Sequence, residues 1–105
     1  MLKKITEAAK VIRSKNCSPF ELTLDIIFKD RHTYEAVKKC NSINAEIIAN
    51  AYGIPVTMIN NIIYFDPAHA VKVTMPRQFS SGMPGDTDVY GAQQHAPLLK
   101  LEIEV

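Results

Sequence analysis

Apolar and polar residues alternate across Glu21-Leu22-Thr23-Leu24-Asp25-Ile26-Ile27-Phe28, sending Leu22, Leu24, Ile26 and Phe28 to one side of a strand and Glu21, Thr23 and Asp25 to the other. The same two-residue period returns in Val71-Lys72-Val73-Thr74-Met75 and in Leu99-Lys100-Leu101-Glu102-Ile103-Glu104-Val105. Three strands, each with one apolar and one polar face, predict a mostly antiparallel or mixed sheet with helices on one face, since strands covered on both faces read as continuous apolar runs. Residues 62–65, Ile-Ile-Tyr-Phe, are such a run, and predict a more central or doubly covered strand.

Between the first strand and that run the period changes. Tyr34, Val37 and Cys40, then Ile43, Ile47, Ile48 and Ala51, recur at three and four residues and predict two helices within Thr33 to Asn50. Asn41-Ser42 marks the break, with either residue placed to cap the second helix; Gly53 ends it and Pro55 forbids its continuation. At the N-terminus Ile5, Ala8, Ala9 and Ile12 suit a short helix, followed by a strand from Val11-Ile12 into a loop at Arg13 to Pro19. The expected architecture is α+β, a two-layer sandwich in a single domain spanning residues 1–105.

Composition narrows the functional classes. A formal charge of +1 leaves no basic footprint for nucleic acid. No apolar run is long enough to cross a bilayer, and Glu7 stands where the apolar stretch of a signal peptide would begin, so the expectation is a cytoplasmic protein away from the membrane. Cys17 and Cys40 form no Cys-x-x-Cys and read as reduced structural thiols. Serine-hydrolase, phosphate-loop and dinucleotide-binding fingerprints are absent from the sequence. A domain of 105 residues has little room to enclose a deep pocket with its own walls.

Three segments carry candidate chemistry. Arg13-Ser14-Lys15-Asn16 places two cations, a hydroxyl and an amide together, a set suited to holding a carboxylate or phosphate or to forming a solvated basic turn. Asp66-Pro67-Ala68-His69 sets a carboxylate near an imidazole at a strand end, as an acid–base pair, as contributors to a metal site or as a turn capped by Asp66. The glycine- and proline-rich tail Met83 to Pro97 holds Asp86, Asp88, Tyr90, Gln93, Gln94 and His95. Its groups either line a binding loop, with His95 as the proton-transfer group, or satisfy the loop's own backbone. Asp86 and Asp88 with His95 or His69 match no established metal-ligand spacing.

The stretches Val11-Ile12-Arg13-Ser14-Lys15-Asn16-Cys17-Ser18-Pro19-Phe20-Glu21-Leu22-Thr23-Leu24-Asp25 and Gly85-Asp86-Thr87-Asp88-Val89-Tyr90-Gly91-Ala92-Gln93-Gln94-His95-Ala96-Pro97-Leu98 resemble a small family of unknown function, domain-of-unknown-function family 4387. Its members occur beside, or fused to, the acyclic terpene utilisation protein AtuA. Cys17 stands where alanine is more usual. A more distant similarity to the C-terminal domain of AtuA-type proteins implies a ferredoxin-like fold. The resemblance also implies a small subunit or accessory domain that works with a larger AtuA-type partner on an organic acid or acyl-CoA. In that reading Arg13, Ser14, Lys15, Asn16, Tyr90, Gln93 and Gln94 bind the anionic substrate and His95 and Asp88 line the reacting end, while Asp66 and His69 are the further catalytic candidates, as carboxylate and base of a stand-alone enzyme. The alternatives are a non-catalytic assembly scaffold and a stand-alone isomerase or lyase, the latter with or without a divalent metal.

Overall fold

The computed structural model describes residues 2–18, 21–76 and 96–105. Strand β1 (Leu2–Lys4) leads into the single turn α1 (Ile5–Ala8), strands β2 (Ala9–Ser18) and β3 (Glu21–Phe28), helices α2 (Arg31–Cys40) and α3 (Ala45–Tyr52), and strands β4 (Asn61–Phe65), β5 (Ala70–Pro76) and β6 (Glu102–Glu104). The architecture is α+β. Among the described residues one sheet has the order β2-β3-β5-β4, the other pairs β1 with β6, and every pairing is antiparallel.

The alternation in β3 and β5 builds the core. Leu22 lies opposite Met75, Leu24 opposite Val73 and Ile26 opposite Val71, and all six side chains are buried. Tyr34 and Val37 of α2 and Ile48 of α3 join them, so both helices cover this face. Each aliphatic side chain of this size taken out of water stabilises the fold by roughly 1.5–3 kcal/mol. On the opposite face the register aligns Arg13, Asp25, Lys72 and Ile63 in one row across β2, β3, β5 and β4.

Local signals set the helix ends. Asp30 caps α2 by accepting from the Thr33 amide at 2.7 Å. Asn41, at φ 49°, closes α2 in the left-handed region rather than capping α3. The cap of α3 is Asn44, which accepts from the Ile47 amide at 3.0 Å; Ser42 instead turns inward, its Oγ donating to the Glu104 carbonyl. Gly53 ends α3 at φ 66°, as expected where a Cβ would be strained.

Four further expectations are corrected. Residues 13–18 are strand rather than loop, because β2 continues its pairing with β3 through Ser18 opposite Glu21. β4 is an edge strand rather than a central one: Ile62 and Tyr64 are half-buried, while Asn61, Ile63 and Phe65 are exposed, and apolar outward positions disguise the alternation. The last strand is only three residues long, because Ala96–Lys100 winds into a 3-10 turn that buries Leu98. Finally, Cys40 is exposed, so this thiol is not packed into the core.

Candidate functional site

The site begins where β4 ends. Asp66-Pro67 opens a 3-10 turn over Asp66–Ala68, with proline at the start of the turn, where a missing N–H costs nothing. His69 closes the turn in the left-handed region at φ 51°, its amide donating to the Asp66 carbonyl at 3.1 Å. The His69 carbonyl then accepts from the Phe28 amide at 2.9 Å, which pins the turn to the end of β3.

Helix α2 packs against this turn. Tyr34 and Lys38 stand one helical turn apart on the same face, and both reach Asp66 Oδ1: the Tyr34 hydroxyl at 2.5 Å and Lys38 Nζ at 2.9 Å. Tyr34 is 2% exposed, with its ring 6.3 Å from Phe28, 6.3 Å from Tyr64 and 5.7 Å from His69. The aromatic body belongs to the core and only the hydroxyl tip serves the site.

These contacts fix the protonation of two members. The hydrogen bond from Tyr34, and after it the one from Lys38, hold the Asp66 carboxyl below its ordinary range, so it is an acceptor and not an acid. Burial first, and the hydrogen bond to Asp66 second, push the Tyr34 phenol well above its ordinary range, so it is a donor and not a base. The His69 imidazole can both donate and accept a hydrogen bond.

An open cleft of about 780 Å³ lies over this cluster, with Arg31, Lys38, Lys39, Asp66 and His69 among its walls. Arg31 is paired with Glu35 at 2.9 Å and Lys38 with Asp66 at 2.9 Å, while Lys39 has no ion-pair partner among the described residues. Three cations therefore face two carboxylates, leaving one positive charge uncompensated among the described residues. Lys38 spends one of its three donors on Asp66, so two remain for a ligand.

Asp66 and His69 are thus brought together, as the turn motif suggests. The Arg13 segment is different. Arg13 Nε donates to Asp25 Oδ2 at 3.1 Å, and Asp25 Oδ1 is buried without a hydrogen-bond partner among the described residues. Along β2, Arg13 and Lys15 are exposed on the face opposite the core, whereas Ser14 is buried on the other, opposite Leu24. A strand cannot present these neighbours to one ligand as a loop would. Asn16 is placed by its backbone opposite Leu22. Asp86, Asp88, Tyr90, Gln93, Gln94 and His95 lie outside the described residues. Among the described residues, no group of three His, Cys, Asp or Glu side chains is arranged to hold a metal ion, and no helix is long and apolar enough to cross a membrane.

Sequence reasoning missed Arg31, Tyr34, Lys38 and Lys39. Arg31, Tyr34, Glu35 and Lys38 do form a stripe at helical spacing. Nothing local connects that stripe to a carboxylate 28 residues beyond Lys38.

A family model described as "Domain of unknown function (DUF4387)" matches residues 5–102. No curated protein and no solved structure matches the chain.

Proposed function

The chain belongs to the DUF4387 family, and we propose that it is a small subunit or accessory domain whose α2 cleft holds the anionic group of an organic acid or acyl-CoA for a larger, AtuA-type partner. The observation that carries this reading is the positive charge left uncompensated, among the described residues, in an open cleft. Lys38 and Lys39 supply charge-assisted donors, Tyr34 holds Asp66 in place, and Asp66 keeps Lys38 oriented until a ligand anion competes for it. His69 then lies beside the bound group as its polar neighbour. Arg13 is less suited to this task because its guanidinium is already engaged by Asp25.

Kinship with the ferredoxin-like domain of AtuA-type proteins is part of the proposal. It is supported by the crossover from β3 through α2 and α3 to β4: both strands run antiparallel to β5, which lies between them, so they are parallel to each other.

The test is to assay the AtuA-type partner with and without this chain, and with a Lys38→Glu/Lys39→Glu double variant. The wild-type chain is expected to raise the partner's activity, and the double variant to raise it roughly tenfold less, as the loss of charge-assisted contacts implies. A partner fully active alone, or a double variant as effective as wild type, rejects the reading.

A further inference from the structure

The two oxygens of Asp66 are not alike. Oδ1 receives both the Tyr34 hydroxyl, at 2.5 Å, and Lys38 Nζ, at 2.9 Å, whereas Oδ2 has no hydrogen-bond partner among the described residues. The side chain is well exposed, so a ligand can reach Oδ2. An ionised carboxylate oxygen only accepts. The two donors on Oδ1 therefore hold a vacant acceptor in one place on the cleft wall.

Beside that acceptor stand spare donors. Lys38 keeps two N–H bonds after Asp66, and Lys39 has no ion-pair partner among the described residues. Both line the same open cleft as Asp66. An anion with no donor of its own can satisfy the lysines, but it brings a second negative charge toward Oδ2 and gives that oxygen nothing. An anion with a donor close to its charged group satisfies both.

Charge decides the kind of donor. Arg31, Lys38 and Lys39 outnumber Glu35 and Asp66 by one among the described residues, so an ammonium group would enter against the field of the cleft, and a neutral donor would not. Glu35 is a poorer acceptor for the purpose. Its only printed-distance contact is the exposed pair with Arg31 on the helix surface, whereas Asp66 is fixed by two donors from α2.

We infer that the cleft selects a hydroxy acid, with the ligand carboxylate on Lys38 and the ligand hydroxyl donating to Asp66 Oδ2. Lys38 Nζ lies 2.9 Å from Oδ1, and Oδ2 shares a carbon with Oδ1, so the two ligand groups must be close neighbours. The hydroxyl belongs on the carbon bearing the carboxylate or on the next one. This inference rests on the anion-holding reading of the cleft and adds the residue that sets its specificity: the lysines take any acid, and Asp66 tells a hydroxy acid from a plain one.

The test titrates the isotope-labelled full chain at neutral pH and fixed ionic strength, followed by amide NMR shifts in α2 and the Asp66 turn. Two series of probes are used: acetate, glycolate and methoxyacetate, then propionate, 3-hydroxypropionate and 3-methoxypropionate. A methoxy oxygen accepts but cannot donate. In at least one series the hydroxy acid should bind about threefold to tenfold more tightly than both companions, the scale of one hydrogen bond to an exposed carboxylate. Asp66→Asn keeps a carbonyl oxygen for Tyr34 and Lys38 but puts an NH2 group where Oδ2 stood. It should bind the plain acids more tightly, because a negative charge is gone, and should hold hydroxy and methoxy acids within about twofold of each other. Circular dichroism checks that the variant folds, and the wild-type series needs no variant. Equal binding within both wild-type series would overturn the selection and leave the anion site standing. A hydroxy-over-methoxy preference that survives in folded Asp66→Asn would overturn it as well, since Asp66 would not be its source. Saturable binding of none of the six acids would overturn the anion reading itself, and this inference with it.

Discussion

Two carboxylates, Asp25 in the sheet and Asp66 in the cleft, each meet one cation, and the molecule uses them in opposite ways. Asp25 is 3% exposed at its side chain and paired through one oxygen to Arg13, with the other oxygen buried and unpartnered among the described residues. Asp66 is 65% exposed, and one of its oxygens receives both Tyr34 and Lys38. A buried charge that loses its partner has no water to replace it, so Asp25 holds Arg13 in place. An exposed carboxylate can exchange its cation at little cost, so the Lys38–Asp66 pair is held only weakly. The residue type is the same; burial decides whether the pair is fixed or exchangeable.

The contrast is most sharply tested at Arg13. Arg13→Ala should destabilise the chain by about 2–3 kcal/mol, below the roughly 3–5 typical of a fully buried pair because the Arg13 side chain is more than half exposed. Asp25→Leu removes the charge together with its orphaned oxygen, and should lie within about 1 kcal/mol of wild type or above it. Urea unfolding measures both. An Arg13→Ala variant as stable as wild type would mean that Arg13 is itself exchangeable, and the distinction between the two sites would disappear.

A smaller effect is expected at Tyr34. Tyr34→Phe keeps the ring in the core and deletes only the hydroxyl, for a loss of about 1 kcal/mol. The same change should raise the Asp66 pKa toward its ordinary 3.8, readable by carboxyl NMR titration, because the largest cause of its depression is gone. No movement on titration would show that Tyr34 does not hold the carboxylate.

The smallest effect is a pH dependence. A carboxyl whose folded pKa is depressed contributes stability that is present above its unfolded value and lost as pH falls through the folded one. For Asp66 that window opens near 3.8 and extends below it. Wild type should therefore lose slightly more stability than Asp66→Asn as pH falls from 5 to 2, with the Asp30 cap, also depressed by its Thr33 hydrogen bond, common to both. Parallel curves would indicate that the cleft contacts do not outlast solvent exposure.

What the chain's own order of residues determined is whatever repeats within a few positions. The alternation of Leu22, Leu24, Ile26 and Phe28 gives β3 its core face, that of Val71, Val73 and Met75 does the same for β5, and Gly53 with Pro55 ends the second helix. The Asp66 turn, half of the candidate site, was legible for the same reason, as Asp-Pro fixes its own backbone locally. The remainder was decided by pairing across distance. Arg13 meets a buried carboxylate because β2 registers with β3, and the apolar run of β4 lies at an edge because β5 occupies the place beside β3. Tyr34 and Lys38 reach Asp66 because the helix carrying them crosses the core face of the sheet. Periodicity tells a strand which side is apolar, but strand order and helix placement decide what covers that side, and so which charges are buried and which remain free to bind.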